Sequence, residues 1–216
     1  MVYNLSVQNS MVTQWMSEIR EVGTQNDRMR FRRNMERIGE IAAYEISKLV
    51  DYEEKLIQTP MGEASCRVMT EQPVLATILR AGVPLHQGLL NYFDKGDSAF
   101  VAAYRKHHRD GSFEIEQHYA TCPSLEGRVL IIADPMLATG ASLILAIETL
   151  LGYGKPSHIH VVAAIACTEG IENLLRKFPE VDVWAGDIDE ELTAKGYIVP
   201  GLGDAGDLAF GKKEQN

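Results

Sequence analysis

The feature that most restricts the fold of this chain is a succession of short, almost wholly apolar runs separated by stretches of helical spacing. The runs lie at Val74–Leu79 and at residues 99–104, 128–133, 159–166 and 181–185. A strand with one wet face alternates apolar and polar residues, and these do not, so both of their faces are covered. Runs of this kind alternating with helices indicate an α/β protein with a parallel sheet between helical layers. The intervening helices are expected after Arg80-Ala81-Gly82 as far as Phe93, over residues 142–151 with Gly152 placed to stop it, and from Thr168 to Phe178-Pro179. Ahead of the runs, residues 27–50 carry Phe31, Met35, Ile38, Ala42 and Leu49 at helical spacing. Arg28, Arg30, Arg32 and Arg33 in its first turn oppose the helix dipole, so they are expected to pair with carboxylates or an anion. Solvated surface or a subunit contact is the plainer reading of them. One segment departs from the pattern. Phe113, Ile115, Gln117 and Tyr119 alternate with Glu114, Glu116 and His118, as in a half-exposed antiparallel strand following a turn at Arg109-Asp110-Gly111.

The chain has 216 residues, 45% of them hydrophobic, which suits a single domain. A formal net charge of -9 argues against nucleic acid or an anionic membrane as partner. An anionic substrate therefore needs a local cationic pocket or a metal ion. The 3 cysteines, Cys66, Cys122 and Cys167, are scattered and lack a C-x-x-C spacing, which suits reduced thiols. No apolar run resembles a signal or a membrane span, so a cytoplasmic protein is expected.

The most informative stretch is Ala133-Asp134-Pro135-Met136-Leu137-Ala138-Thr139-Gly140-Ala141-Ser142, at the end of a buried run. Ligands of open α/β sheets sit at the carboxyl ends of strands. A Thr-Gly-small-Ser turn opening a helix offers unpaired N–H groups and partial positive charge to a phosphate. Thr139 and Ser142 add hydroxyls, while anionic Asp134 suits sugar hydroxyls. Phosphate plus diol points to a ribose phosphate. A strand–turn–helix with Asp and Thr as capping residues is the plainer alternative. The spacing of a Walker A loop is absent.

The run Asp134 to Ser142 resembles the phosphoribosyl pyrophosphate loop of uracil phosphoribosyltransferases, which usually reads DPMLATGGS. Ile78-Leu79-Arg80-Ala81-Gly82, Tyr104-Arg105 and Gly196-Tyr197-Ile198-Val199-Pro200-Gly201-Leu202-Gly203-Asp204-Ala205-Gly206-Asp207 are similar to further motifs of that family, in its order. The resemblance implies a Rossmann-like phosphoribosyltransferase core with an N-terminal helix, an antiparallel β-arm and a C-terminal hood over the base. As one domain it would comprise an extension at 1–26, the arm at 106–122 and the hood at 186–211.

It implies further that Arg80 and Arg105 contact pyrophosphate, where a planar guanidinium suits several phosphate oxygens. Asp134, Pro135, Met136, Leu137, Ala138, Thr139, Gly140, Ala141 and Ser142 would hold 5-phosphoribosyl 1-pyrophosphate (PRPP). Ile198, Gly203, Asp204 and Ala205 would hold uracil, with Asp204 also facing PRPP. The expected reaction makes UMP and pyrophosphate, with Mg²⁺ held mainly by the substrate and no residue assigned as a general base. A homodimer or larger homo-oligomer is expected, without nucleic acid or membrane. The family's fold also admits an RNA-binding or nucleotide-sensing regulator, or a catalytically silent scaffold. Ala141 replaces the usual second glycine, Leu208 stands where a basic residue is common, and His107-His108-Arg109-Asp110-Gly111 differs from the usual arm. Residues Asp187, Asp189, Glu190 and Glu191 read as an acidic surface run. His158 and His160 share one strand face, where solvated or core histidines are commoner than a metal site.

Overall fold

A computed structural model describes residues 1–107 and 113–213; residues 103–107 and 113–118 are described by backbone alone. In chain order the elements are β1 (Val2–Asn4), α1 (Met11–Arg20), α2 (Arg28–Ser47), β2 (Tyr52–Thr59), β3 (Gly62–Met69), β4 (Val74–Leu79), α3 (Val83–Tyr92), β5 (Asp97–His107) and β6 (Phe113–Thr121). There follow β7 (Val129–Ala133), β8 (Met136–Leu137), α4 (Ala141–Leu150), β9 (His158–Cys167), α5 (Thr168–Lys177), β10 (Asp182–Asp189), β11 (Glu191–Leu192), β12 (Ile198–Val199) and α6 (Ala205–Phe210).

The apolar runs form the sheet the sequence predicts. Its order is β1-β10-β9-β7-β4-β5-β6, with the short β8 also paired to β9. Every pairing is parallel except that of β6 with β5. Alternate residues feed two apolar layers. Leu75, Ile131 and Ala133 pack with Phe31, Met35, Ile38, Leu85 and Leu89 of α2 and α3. Val74, Ala76, Leu130 and Ile132 pack with Leu143, Ile147 and Leu174 of α4 and α5. The chain passes from β4 to β5 in one direction, and β7, β9 and β10 run out in the other. The order therefore reverses between β4 and β7, where such sheets bind ligands.

Several expectations need adjusting. Residues 1–26 are built into the fold rather than appended to it. Strand β1 extends the sheet, Val2 opposite Val183, and Tyr3 stacks on Trp184 at 3.9 Å between ring centroids. Helix α1, capped by Ser10 with Thr13 reciprocating, buries Val12, Met16 and Ile19. The hairpin β2–β3 is an addition that apolar periodicity did not signal. It pairs only with itself and leaves Leu56 and Met61 exposed. Strand β10 runs beyond the apolar run to Asp189. Helix α4 ends at Leu150 and tightens into a 3₁₀ turn, Leu151–Tyr153, so Gly152 lies within that turn instead of stopping the helix.

In α2, Asp27 caps the first turn by accepting from the N–H groups of Met29 and Arg30. Arg30 pairs with Glu18 and Arg33 with Glu36, as expected of cations at a helix start. Arg32 instead donates to the Ala209 carbonyl at 2.7 Å, tying α2 to α6. The turn at 109–111 lies outside the described residues.

Candidate active site

At the reversal between β4 and β7, Thr77 Oγ1 donates to the Ala133 carbonyl at 3.1 Å and binds the two strand ends together. Beyond Ala133 the chain stays attached to β9. The Asp134 N–H donates to the Val162 carbonyl, and the Pro135 carbonyl accepts from Ile165 N–H, both at 3.0 Å. The pairing of β8 with β9 continues this attachment. The turn is then closed by Gly140, with φ +83°, as the residue preceding α4. Gly140 has no side chain with which to cap the leading amides of α4. Thr139 Oγ1 accepts from Ala141 N–H at 3.4 Å, and Asn173 of α5 donates to the Thr139 carbonyl. The result is a shallow, open hollow lined by Asp134, Met136, Leu137, Ala138, Thr139, Gly140, Ala141, Ser142 and Leu143. Pro135 is buried beneath it. Ala141 is the first residue of α4 and is exposed. Among the described residues no non-glycine has a positive φ, so the alanine sits where its methyl group is tolerated.

Arg80 follows β4 through a cis peptide bond from Leu79, and Gly82 then leads into α3. The Arg80 guanidinium donates to Asp207 Oδ1 at 2.7 Å and to the Gly211 carbonyl at 3.0 Å. This joins the end of β4 to the C-terminal hood. Arg105 lies on β5 opposite Ile115; its side chain is outside the described residues.

Within the C-terminal segment, β11 pairs with β12. Ile198 and Ala205 bury their side chains, so only their backbone is available to a ligand. Gly203 and Asp204 are exposed beside a second open hollow, which Gln25, Arg28, Leu208 and Lys212 also border. Asp204 Oδ1 accepts from Asp207 N–H at 3.0 Å and so caps α6. Leu208, in the position where a basic residue is common, packs against the core.

Two residues outside the predicted site anchor this hood. Arg20 of α1 donates to both oxygens of Asp189, at 2.8 and 2.9 Å, to Asp187 at 2.8 Å and to the Gly201 carbonyl at 3.2 Å. Asp189 Oδ2 in turn accepts from Gly201 N–H at 2.8 Å. Burial alone would raise the pKa of Asp189. The hydrogen bonds from Arg20 and Gly201 outweigh it and hold the carboxyl below its ordinary range. Asp189 is 7% exposed, which corrects the reading of the acidic run as surface at that position. Two acidic residues at a strand end were the available signal; the distant Arg20 was not deducible from spacing.

Of the three cysteines, Cys167 is buried, and burial pushes the Cys122 thiol up to about 11. A thiol held protonated in this way is a poor nucleophile.

A sequence model described as uracil phosphoribosyltransferase matches residues 6–212. A uracil phosphoribosyltransferase of Porphyromonas gingivalis is 48% identical over 213 residues, covering 98% of this chain and 99% of that one. One from Pyrococcus furiosus is 38% identical over 200 residues, covering 91% of this chain and 84% of that one. A solved protein structure from Aquifex aeolicus superposes with a TM-score of 0.87 at 30% identity, covering 98% of each chain. Matches spanning the strand-end loop, the arm and the hood together leave one assignment: this chain belongs to the uracil phosphoribosyltransferase family.

Proposed function

We propose that the protein transfers ribose 5-phosphate from PRPP to uracil, giving UMP and pyrophosphate. The observation that carries this reading is the hollow formed by Asp134 and the loop from Met136 to Ser142 at the reversal of strand order. It combines a carboxylate for sugar hydroxyls with helix-start amides and hydroxyls for a phosphate, the parts a ribose phosphate requires.

In this reading uracil displaces pyrophosphate from the anomeric carbon through a ring nitrogen. The transition state is oxocarbenium-like, and catalysis rests on positioning and on charge stabilisation of the leaving group. Arg80, and Arg105 with it, neutralise the departing pyrophosphate; no general base is assigned. Arg80 reaches that role by exchanging Asp207 for phosphate oxygens, since its present ion pair is exposed and easily traded. Asp134 orients the ribose hydroxyls. The backbone of Ile198, Gly203 and Ala205 reads the uracil edge, and Asp204 stands between base and PRPP. Among the described residues Asp134 is the one carboxylate that lines its hollow, far short of a protein cage, so Mg²⁺ would be held mainly by substrate. When bound, Mg²⁺ offsets the charge of the pyrophosphate and ribose oxygens.

The exposed hairpin β2–β3 favours a homodimer or larger assembly, because an isolated two-stranded hairpin with uncovered Leu56 and Met61 gains stability from a partner. No helix among the described residues is long and apolar enough to cross a membrane, and a cytoplasmic enzyme is the reading adopted. The test is UMP formation from uracil and PRPP with Mg²⁺, followed by chromatography of the nucleotide, beside light scattering for the oligomer.

A further inference from the structure

At the sheet edge opposite the substrate loop, the amino ends of β9 and β10 bring together His158, His160 and Asp182. The sequence places His158 and His160 on one face of β9. Strand pairing adds Asp182, directly across from His160. His158 Nε2 lies 2.9 Å from Asp182 Oδ2, His160 Nδ1 lies 3.7 Å from the same oxygen, and the ligand atoms of the three residues all fall within 4.8 Å of one another. Ligands around a tetrahedral zinc at about 2.0–2.1 Å stand roughly 3.3 Å apart. The two separations from Asp182 Oδ2 straddle that value, and closing the cluster on an ion also turns the His160 ring, whose Nδ1 faces Trp184.

We infer that His158, His160 and Asp182 form a binding site for a zinc-type divalent transition metal, distinct from the Mg²⁺ that accompanies PRPP. Two imidazoles and one carboxylate are the donors of zinc sites that keep an open fourth position, whereas Mg²⁺ prefers oxygen alone. The cluster has a closed floor and an open mouth: the side chains of His160 and Asp182 are 3% and 9% exposed, and that of His158 is 37% exposed. An ion can therefore enter past His158. The indole N–H of Trp184 donates to His160 Nδ1 at 3.2 Å. That bond leaves the ring proton on Nε2, the tautomer that coordinates through Nδ1. The other Asp182 oxygen is held by the Met1 amino group, which fixes the carboxylate with Oδ2 towards the histidines.

Binding has one structural consequence. His160 Nδ1 must turn from the Trp184 N–H to the ion, and Trp184 must lose its acceptor. Affinity is thereby limited to the micromolar class, and the indole becomes a reporter.

The experiment is calorimetric titration of Zn²⁺ into the full chain without PRPP or Mg²⁺, for wild type, His158→Ala and Asp182→Asn. A parallel Cu²⁺ titration follows Trp184 emission in a Trp15→Phe background. The inference predicts one zinc per chain at micromolar affinity, at least tenfold weaker binding in His158→Ala, and saturable quenching of Trp184 with the same dependence on His158. The half-exposed His158 can be shortened without opening the core, so loss of binding in that variant does not reflect unfolding. Equal zinc affinity in wild type and His158→Ala, no binding below millimolar zinc, or quenching indifferent to His158 each overturns it.

Discussion

Adding one methyl group at position 140 and removing one at position 141 should have opposite consequences, although the residues are neighbours in one loop. Gly140 has φ +83°, and a Cβ built there would lie 2.9 Å from the Gly170 carbonyl oxygen. That carbonyl has little room to retreat, because Gly170 itself packs against the Ala138 backbone: its own added Cβ would stand 2.1 Å from the Ala138 oxygen. A left-handed conformation costs an alanine about 1–2 kcal/mol, and forcing extra volume into a packed contact costs about 1–3 kcal/mol. Gly140→Ala is therefore expected to lose about 2–5 kcal/mol of stability, moving the urea midpoint down by roughly 1–2.5 M at fixed protein concentration. The same strain displaces the α4 amides, so the KM for PRPP should rise by at least about tenfold. At position 141 the backbone is already helical and the methyl group faces solvent. Ala141→Gly should cost no more than about 0.5–1 kcal/mol and leave PRPP affinity within about twofold. Paired urea curves and PRPP saturation curves decide the matter. A wild-type midpoint and KM for Gly140→Ala, or a large gain in PRPP affinity for Ala141→Gly, would refute the reasoning and show that the alanine impairs the loop.

Asp134→Asn keeps shape but loses charged acceptors. Turnover at saturating uracil should fall by roughly ten- to a few hundred-fold, the equivalent of about 1.5–3 kcal/mol; a folded variant with wild-type turnover removes Asp134 from the site. Asp189→Asn weakens the bracket between Arg20 and Gly201 without touching the loop, so the KM for uracil should rise more than the KM for PRPP, and equal changes in both would contradict a hood-specific role. Burial lowers the pKa of His86, against the hydrogen bond to the Leu75 carbonyl, from its ordinary 6.5. Below about pH 6.5 the unfolded chain takes up a proton that folded His86 resists, so its contribution to stability is present above that pH and lost as pH falls. His86→Gln, which retains a donor to Leu75, should show a shallower loss of urea stability between pH 6.5 and 5; identical slopes would rule the effect out.

The central sheet was legible because Val74–Leu79 and its companions are apolar on both faces, a pattern that few other architectures need. The strand–turn–helix from Ala133 to Ser142 was legible because its residues are contiguous in sequence. The parts that escaped depend on contacts between distant segments. Nothing near Val2 signals a strand until Val183 is beside it, and Arg20 reads as an ordinary helix-end cation until Asp189 and Gly201 meet it. The β2–β3 hairpin escaped for a different reason: most of its residues are exposed, so apolar periodicity had little to register. His158 and His160 were visible as a pair, but only the register between β9 and β10 adds Asp182. Conversely, Ala141 and Leu208 looked like departures from a family pattern and became ordinary once their backbone angle and packing were known.

The most direct test of the account is the ratio of kcat/KM for uracil and cytosine at saturating PRPP and Mg²⁺. A backbone pair from the Ile198 to Ala205 stretch that accepts from the ring N–H of uracil and donates to its oxygen meets cytosine donor to donor and acceptor to acceptor, and unlike a side-chain amide it cannot flip. Sites built on buried hydrogen bonds reject mismatched analogues by about four to five orders of magnitude, because each unpaired group costs about 1–3 kcal/mol. The account predicts UMP as the product and a uracil preference of at least about a thousandfold. A ratio near one, or no UMP formed at all, would contradict it.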